Sequence, residues 1–171
     1  MCPGTPARRD SAGLMTIQVA GEIPYKEELQ SLAAALKTEK KVLVTTHIKP
    51  EGDALGSMIA LHRAMTQLGA DSAMYMSETD GVAPEYRFLK ALDEVHYGEA
   101  PGDSGSRTLC TVDCGNAERV GNDSLVESAP KIINIDHHSD NPRFGAVNLV
   151  APGASSASEI VYFLLGELGA D

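Results

Sequence analysis

The chain has 171 residues, 43% of them hydrophobic, which is enough to bury one substantial core and too apolar for a disordered protein. Its 14 basic and 24 acidic side chains give a formal net charge of −10. That balance argues against gripping long duplex nucleic acid through a broad basic face, and leaves room for a small anionic substrate held by metal ions. The three cysteines, Cys2, Cys110 and Cys114, form no C-x-x-C pair, so a reduced, cytoplasmic protein is expected, with Cys110 and Cys114 as core thiols. No apolar run approaches the length of a membrane span.

Residues 1–13 show neither an apolar targeting core nor helical periodicity, and 1–20 read as a flexible tail in front of one domain over 21–171, with Met15 as an alternative start. Leucines and alanines at helical spacing predict a helix over 26–36. The β-branched run 42–46 (VLVTT) predicts a buried strand, and behind it come His47, Glu51 and Asp53, separated by the turn formers Pro50 and Gly52. From Ala54 to about Leu68 apolar residues recur at helical spacing. Further on, 72–76 reads as a strand, 84–92 as a helix carrying Tyr86, Phe88 and Leu89, and 98–105 as a surface loop. The strand over 108–112 (TLCTV) ends in Asp113, and that over 131–135 (KIINI) ends in Asp136, His137 and His138. An edge strand over 144–150 and a helix over 155–168, opened by capping serines, complete the pattern. Strands alternating with helices predict an α/β fold, a doubly wound, mainly parallel sheet with helices on both faces in a single domain. Histidine and carboxylates would then converge along one edge of it, where open α/β sheets bind their ligands.

Neither the phosphate-loop pattern nor the dinucleotide fingerprint occurs, and no G-x-S-x-G elbow supplies a serine nucleophile. Oxygen and nitrogen donors without thiolate suit manganese, magnesium or iron better than a structural zinc. Enough donors are present for two ions sharing Asp113, which about 3.5–4 Å apart would polarise a phosphoryl oxygen and activate water for in-line attack.

The stretch HIKPEGDALGS at 47–57, the VDCGN at 112–116, the IDHH at 135–138 and the later Asn141, Phe144, Gly145 and SSASE at 155–159 resemble the DHH phosphoesterase superfamily, and within it the nano-RNase and pAp-phosphatase branch. The resemblance runs from about Leu29 to Leu168. It implies that His47, Glu51 and Asp113 hold one manganese and Asp53, Asp113 and His137 a second. His138 would contact the scissile phosphate or protonate the leaving oxygen, with Asp136 orienting the histidines. The implied reaction releases mononucleotides from very short RNA, or the 3′-phosphate from adenosine 3′,5′-bisphosphate, and the resemblance leaves a homodimer open. Cyclic-dinucleotide phosphodiesterase, exopolyphosphatase and pyrophosphatase are alternatives within the superfamily, and a nucleotide- or metal-binding fragment without turnover lies outside catalysis altogether. Two departures stand out. Glu51 occupies a position where the family usually has aspartate, and the fourth-motif aspartate and the glycine-rich substrate domain of the family have no counterpart up to Asp171, so the chain reads as the catalytic domain of a longer protein.

Overall fold

The computed structural model describes residues 24–170 and, ahead of them, a short antiparallel pairing of β1 (Arg8–Arg9) with β2 (Met15–Thr16). The rest of the segment expected as a flexible tail, with Cys2, lies outside the described residues. Helix α1 (Lys26–Thr38) buries Leu29, Leu32, Ala33 and Leu36 along one stripe. The chain then enters a six-stranded sheet whose pairings are all parallel: β3 (Lys41–Thr45), β4 (Asp71–Met76), β5 (Val95–Tyr97), β6 (Thr108–Val112), β7 (Ile132–Asp136) and β8 (Val147–Val150). The α/β class and parallel sheet expected from the sequence are therefore what the chain forms.

Alternation along the strands divides the interior in two. Val42, Val44, Cys110, Val112, Ile133 and Ile135 point to the larger core, against α1, α2 (Gly52–Gln67) and α4 (Ala157–Leu168). Leu43, Tyr75 and Leu109 point the other way and meet Leu125 of the short α3 (Asp123–Ser128). Helices thus cover both faces, three of them on one side.

Strand order in the sheet is β5-β4-β3-β6-β7-β8. The chain winds outward from β3 in one direction, returns to β6 beside it, and winds outward in the other. The carboxyl ends of β3 and β6 therefore flank the point where the order reverses, a crevice that no crossover helix fills.

Two parts differ from expectation. The helix expected over 84–92 is two 3-10 helices, Pro84–Tyr86 and Lys90–Glu94, separated by Arg87, Phe88 and Leu89, the last at ψ 89°. Tyr86, Leu89 and Leu92 turn inward while Phe88 is 73% exposed. That inward spacing of three is the 3-10 period rather than the 3.6 of an α-helix. The segments β5 and α3 were not expected at all, each being too short to show a period. At the opposite edge β8 runs where an edge strand was expected, and Gly145 explains the approach to it. A Cβ there would lie 2.8 Å from the Val147 carbonyl oxygen and 3.0 Å from that of Ile132.

Candidate metal centre

Each strand that borders the crevice delivers its polar residues as it ends. After β3 the buried His47 leads into a loop closed by Glu51, which precedes α2, and Asp53 lies in the first turn of that helix. After β6 comes Asp113, 1% exposed and in left-handed backbone at φ 53°, a conformation aspartate tolerates better than most residues. Strand β7 ends in the fully buried Asp136, with His137 and His138 following.

Their functional atoms converge. His47 Nε2 is 3.2 Å from Glu51 Oε2 and 3.6 Å from Asp113 Oδ2. His137 Nε2 is 3.5 Å from Asp113 Oδ1 and 4.0 Å from Asp53 Oδ2. Asp113 thus stands among three imidazoles, His47 on Oδ2 and, on Oδ1, His137 with His138 Nδ1 at 3.9 Å. All seven residues expected at the site are brought together.

Two triplets present ligand atoms mutually within 4.8 Å, His47-Glu51-Asp113 and Asp113-His137-His138, and both contain Asp113. The first is the set implied by the sequence resemblance. In the second, His138 stands where Asp53 was expected, and both Asp53 oxygens accept backbone hydrogen bonds. Oδ1 accepts from Ser158 N at 2.8 Å and Oδ2 from Ala157 N at 2.9 Å, capping α4. Each carboxylate oxygen keeps a further lone pair, so capping leaves Asp53 able to bind a cation.

The two buried Asp113 oxygens have no hydrogen-bond donor among the described residues. A buried carboxylate in that state is costly unless a cation compensates it. The surroundings supply nitrogen and oxygen donors and no thiolate, which fits a hard divalent cation. The Asp113 carboxylate, with smaller help from the Ile48 carbonyl and Glu51, raises the His47 pKa above its usual value, against burial and the Arg119 charge. The His47 ring is thereby held in an anionic pocket.

Asp136 fixes His138. Its Oδ1 lies 2.8 Å from His138 Nδ1, while its Oδ2 accepts from Asn141 Nδ2 at 2.6 Å. The same amide reaches Asn134 Oδ1 at 2.8 Å, and Asn134 Nδ2 donates to Thr111 Oγ1 at 2.9 Å, so a buried amide chain runs behind the imidazoles. Asn134 and Arg119, whose Nη2 is 3.0 Å from His47 Nδ1, were not anticipated. Asn134 sits inside an apolar strand run, and nothing in its spacing marks it. Cys110 and Cys114 are buried, their burial pushes both thiols up to about 12, and neither belongs to the two ligand triplets, in keeping with core thiols.

An all-parallel sheet with carboxylates and histidines crowded at its switch-point crevice defines the class: an α/β domain with a candidate metal centre at its strand ends. Residues 41–170 match the DHH family, N-terminal domain, and the chain belongs to that family. The bifunctional oligoribonuclease and PAP phosphatase NrnA of Thermus thermophilus is 34% identical over 155 residues, 89% of this chain and 45% of that protein. The Bacillus subtilis protein of the same name is 29% identical over 123 residues, covering 72% of this chain and 37% of its own. The chain spans less than half the length of these relatives. Among solved structures, an exopolyphosphatase-related protein from Bacteroides fragilis shares the fold at a TM-score of 0.76 and 19% identity, over 87% of this chain and 46% of that one. Exonuclease RecJ, solved bound to manganese, does so at 0.52 and 21%, over 82% and 37%.

Proposed function

We propose that this domain carries the catalytic centre of a manganese-dependent phosphoesterase that hydrolyses short oligoribonucleotides and the 3′-phosphate of adenosine 3′,5′-bisphosphate. The observation that carries the reading is Asp113, a buried carboxylate set between His47 and His137 with no hydrogen-bond donor among the described residues. The substrate class rests on the NrnA relatives, whose names state both activities.

In this reading His47, Glu51 and Asp113 hold one ion, and Asp53, Asp113 and His137 the other. Bound there, the ions would supply electrophilic pull on a phosphoryl oxygen and a lowered pKa for water. The remaining work falls to the chain. A water oxygen bonds to phosphorus as the ester P–O bond breaks, and the leaving oxygen takes a proton. His138 is suited to give it, because Asp136 engages Nδ1 and leaves Nε2 as the ring nitrogen available for proton transfer. Asn141 holds Asp136 in turn, so the ring is aimed before substrate arrives.

The test is manganese-dependent hydrolysis of an aryl phosphate diester, then of a ribodinucleotide and of adenosine 3′,5′-bisphosphate. His138→Ala is expected to lower turnover about 10²–10⁴-fold, the range for a general acid, while calorimetry shows manganese still bound. Hydrolysis that persists in Asp113→Asn would overturn the reading.

A further inference from the structure

The Arg119 guanidinium has a position that the metal centre does not explain. It lies at the rim of a cluster holding Glu51, Asp53, Asp113 and Asp136, yet among the described residues it pairs with no carboxylate. Its recorded contact is Nη2 to His47 Nδ1 at 3.0 Å. That nitrogen is already 2.7 Å from the Ile48 carbonyl oxygen, a separation that calls for a proton on Nδ1. Nη2 therefore faces another donor, and its own N–H groups want an acceptor.

A purely structural role for the side chain is already filled by the backbone. Ile48 N donates to Arg119 O at 2.8 Å, and Arg119 N donates to Asn116 Oδ1 at 3.0 Å. The first bond ties the loop after β6 to the loop after β3 and the second caps the turn within the loop after β6, both without the guanidinium. Moreover, a cation beside His47 works against binding another cation there, so the side chain is poorly placed to serve the metal. What it suits is an anion bound at the metal centre. A planar fork of donors matches two oxygens of one phosphoryl group, and the guanidinium keeps its charge at any working pH.

We infer that Arg119 is a substrate-binding residue that grips non-bridging oxygens of the phosphate at the metal centre, approaching from the His47 side. This rests on the phosphoesterase reading above. In a chain otherwise strongly acidic, it supplies positive charge at the point where an anionic substrate must enter.

Calorimetry on the whole chain separates the possibilities, with manganese titrated first and adenosine 5′-monophosphate titrated into the manganese-saturated protein. In Arg119→Gln, manganese affinity is expected to hold or rise. Nucleotide affinity should fall about tenfold to a hundredfold, as for loss of a charge-assisted hydrogen bond. Arg119→Lys, which keeps the charge and loses the fork, should fall between the two. Thermal melting of both variants shows whether the fold is intact, and if Arg119→Gln does not fold, Arg119→Lys alone decides by its nucleotide affinity relative to wild type. Equal loss of manganese and nucleotide binding would make Arg119 a prop for His47 and overturn the inference. So would nucleotide binding that neither variant changes. If the wild-type chain binds no manganese, the phosphoesterase reading itself fails and the inference falls with it. If manganese binds and the nucleotide does not, only the inference is overturned.

Discussion

Asp113 stands in left-handed backbone, buried, with both carboxylate oxygens lacking a donor among the described residues. Asparagine tolerates the same backbone and has nearly the same shape, so Asp113→Asn removes the charge and little else. In metal-free buffer alkaline enough for neutral histidine rings, the variant is expected to be more stable than wild type by about 1–3 kcal/mol, the cost of a buried unsatisfied group. Urea midpoints measure this, and a lower midpoint for the variant without metal would sink the idea of an uncompensated carboxylate. With manganese the order should reverse, since the variant has lost the shared ligand. His47, Glu51, Asp53, Asp113, Asp136, His137 and His138 were legible in the sequence because each follows directly on an apolar strand or opens a helix. Arg119 and Asn134 were not, because their roles depend on which strand lies beside which. The Asp53 carboxylate was legible as a donor, but its capping of a helix a hundred residues away was not.

That cap makes a prediction at the level of elements. Asp53 joins the first turn of α2 to the first turn of α4 through the amides of Ala157 and Ser158. The Ser57 and Ser158 hydroxyls add a further link, 3.1 Å apart. Losing such a cap costs about 0.5–2 kcal/mol. Asp53→Ala should therefore melt at a lower temperature than wild type even without metal, the opposite sign to Asp113→Asn, although both residues are read as ligands of one centre. A melting point that does not move would mean that the cap contributes nothing. The other end of the sheet is pinned by Glu39, whose Oε1 accepts from Lys131 at 2.7 Å and whose Oε2 accepts from Thr108 at 2.5 Å. Burial pushes this carboxyl up, but the Lys131 and Thr108 bonds outweigh it and hold the pKa below the usual value. Its contribution to stability is accordingly complete above the ordinary glutamate pKa of about 4.3 and lost as pH falls through the lower folded value. Glu39→Gln should be less stable than wild type near neutrality and lose less on acidification. Parallel acid limbs for the two proteins in urea titrations would remove Glu39 from that account. The longer elements, with a strong period or a β-branched run, were read to within a few residues. The 84–92 segment was misread because its inward spacing of three mimics a helical stripe over so short a length.

At the scale of the whole molecule, the sheet's two halves meet only at β3 and β6, and the candidate centre draws residues from both. His47 and Glu51 follow β3, Asp113 follows β6, and His137 follows β7. Parallel class and strand-end placement were legible from the alternation of strands and helices. Strand order was not, since it depends on which face each crossover packs against. The order is what turns scattered polar residues into one cluster, and it lets a cation tie the halves together. A ligand that binds only the folded state stabilises it by about 2.7 kcal/mol at a hundred times its dissociation constant. Manganese is therefore expected to raise the melting temperature in a concentration-dependent way, and a chelator should reverse the rise. Hydrogen exchange should slow at the carboxyl ends of β3, β6 and β7 together rather than in one half. His47→Ala and His137→Ala should each retain part of the effect, because each leaves one ligand set intact, whereas Asp113→Asn should abolish it. If manganese stabilised Asp113→Asn as strongly as wild type, the ion would be binding elsewhere on this acidic chain, and the two halves would not share a centre.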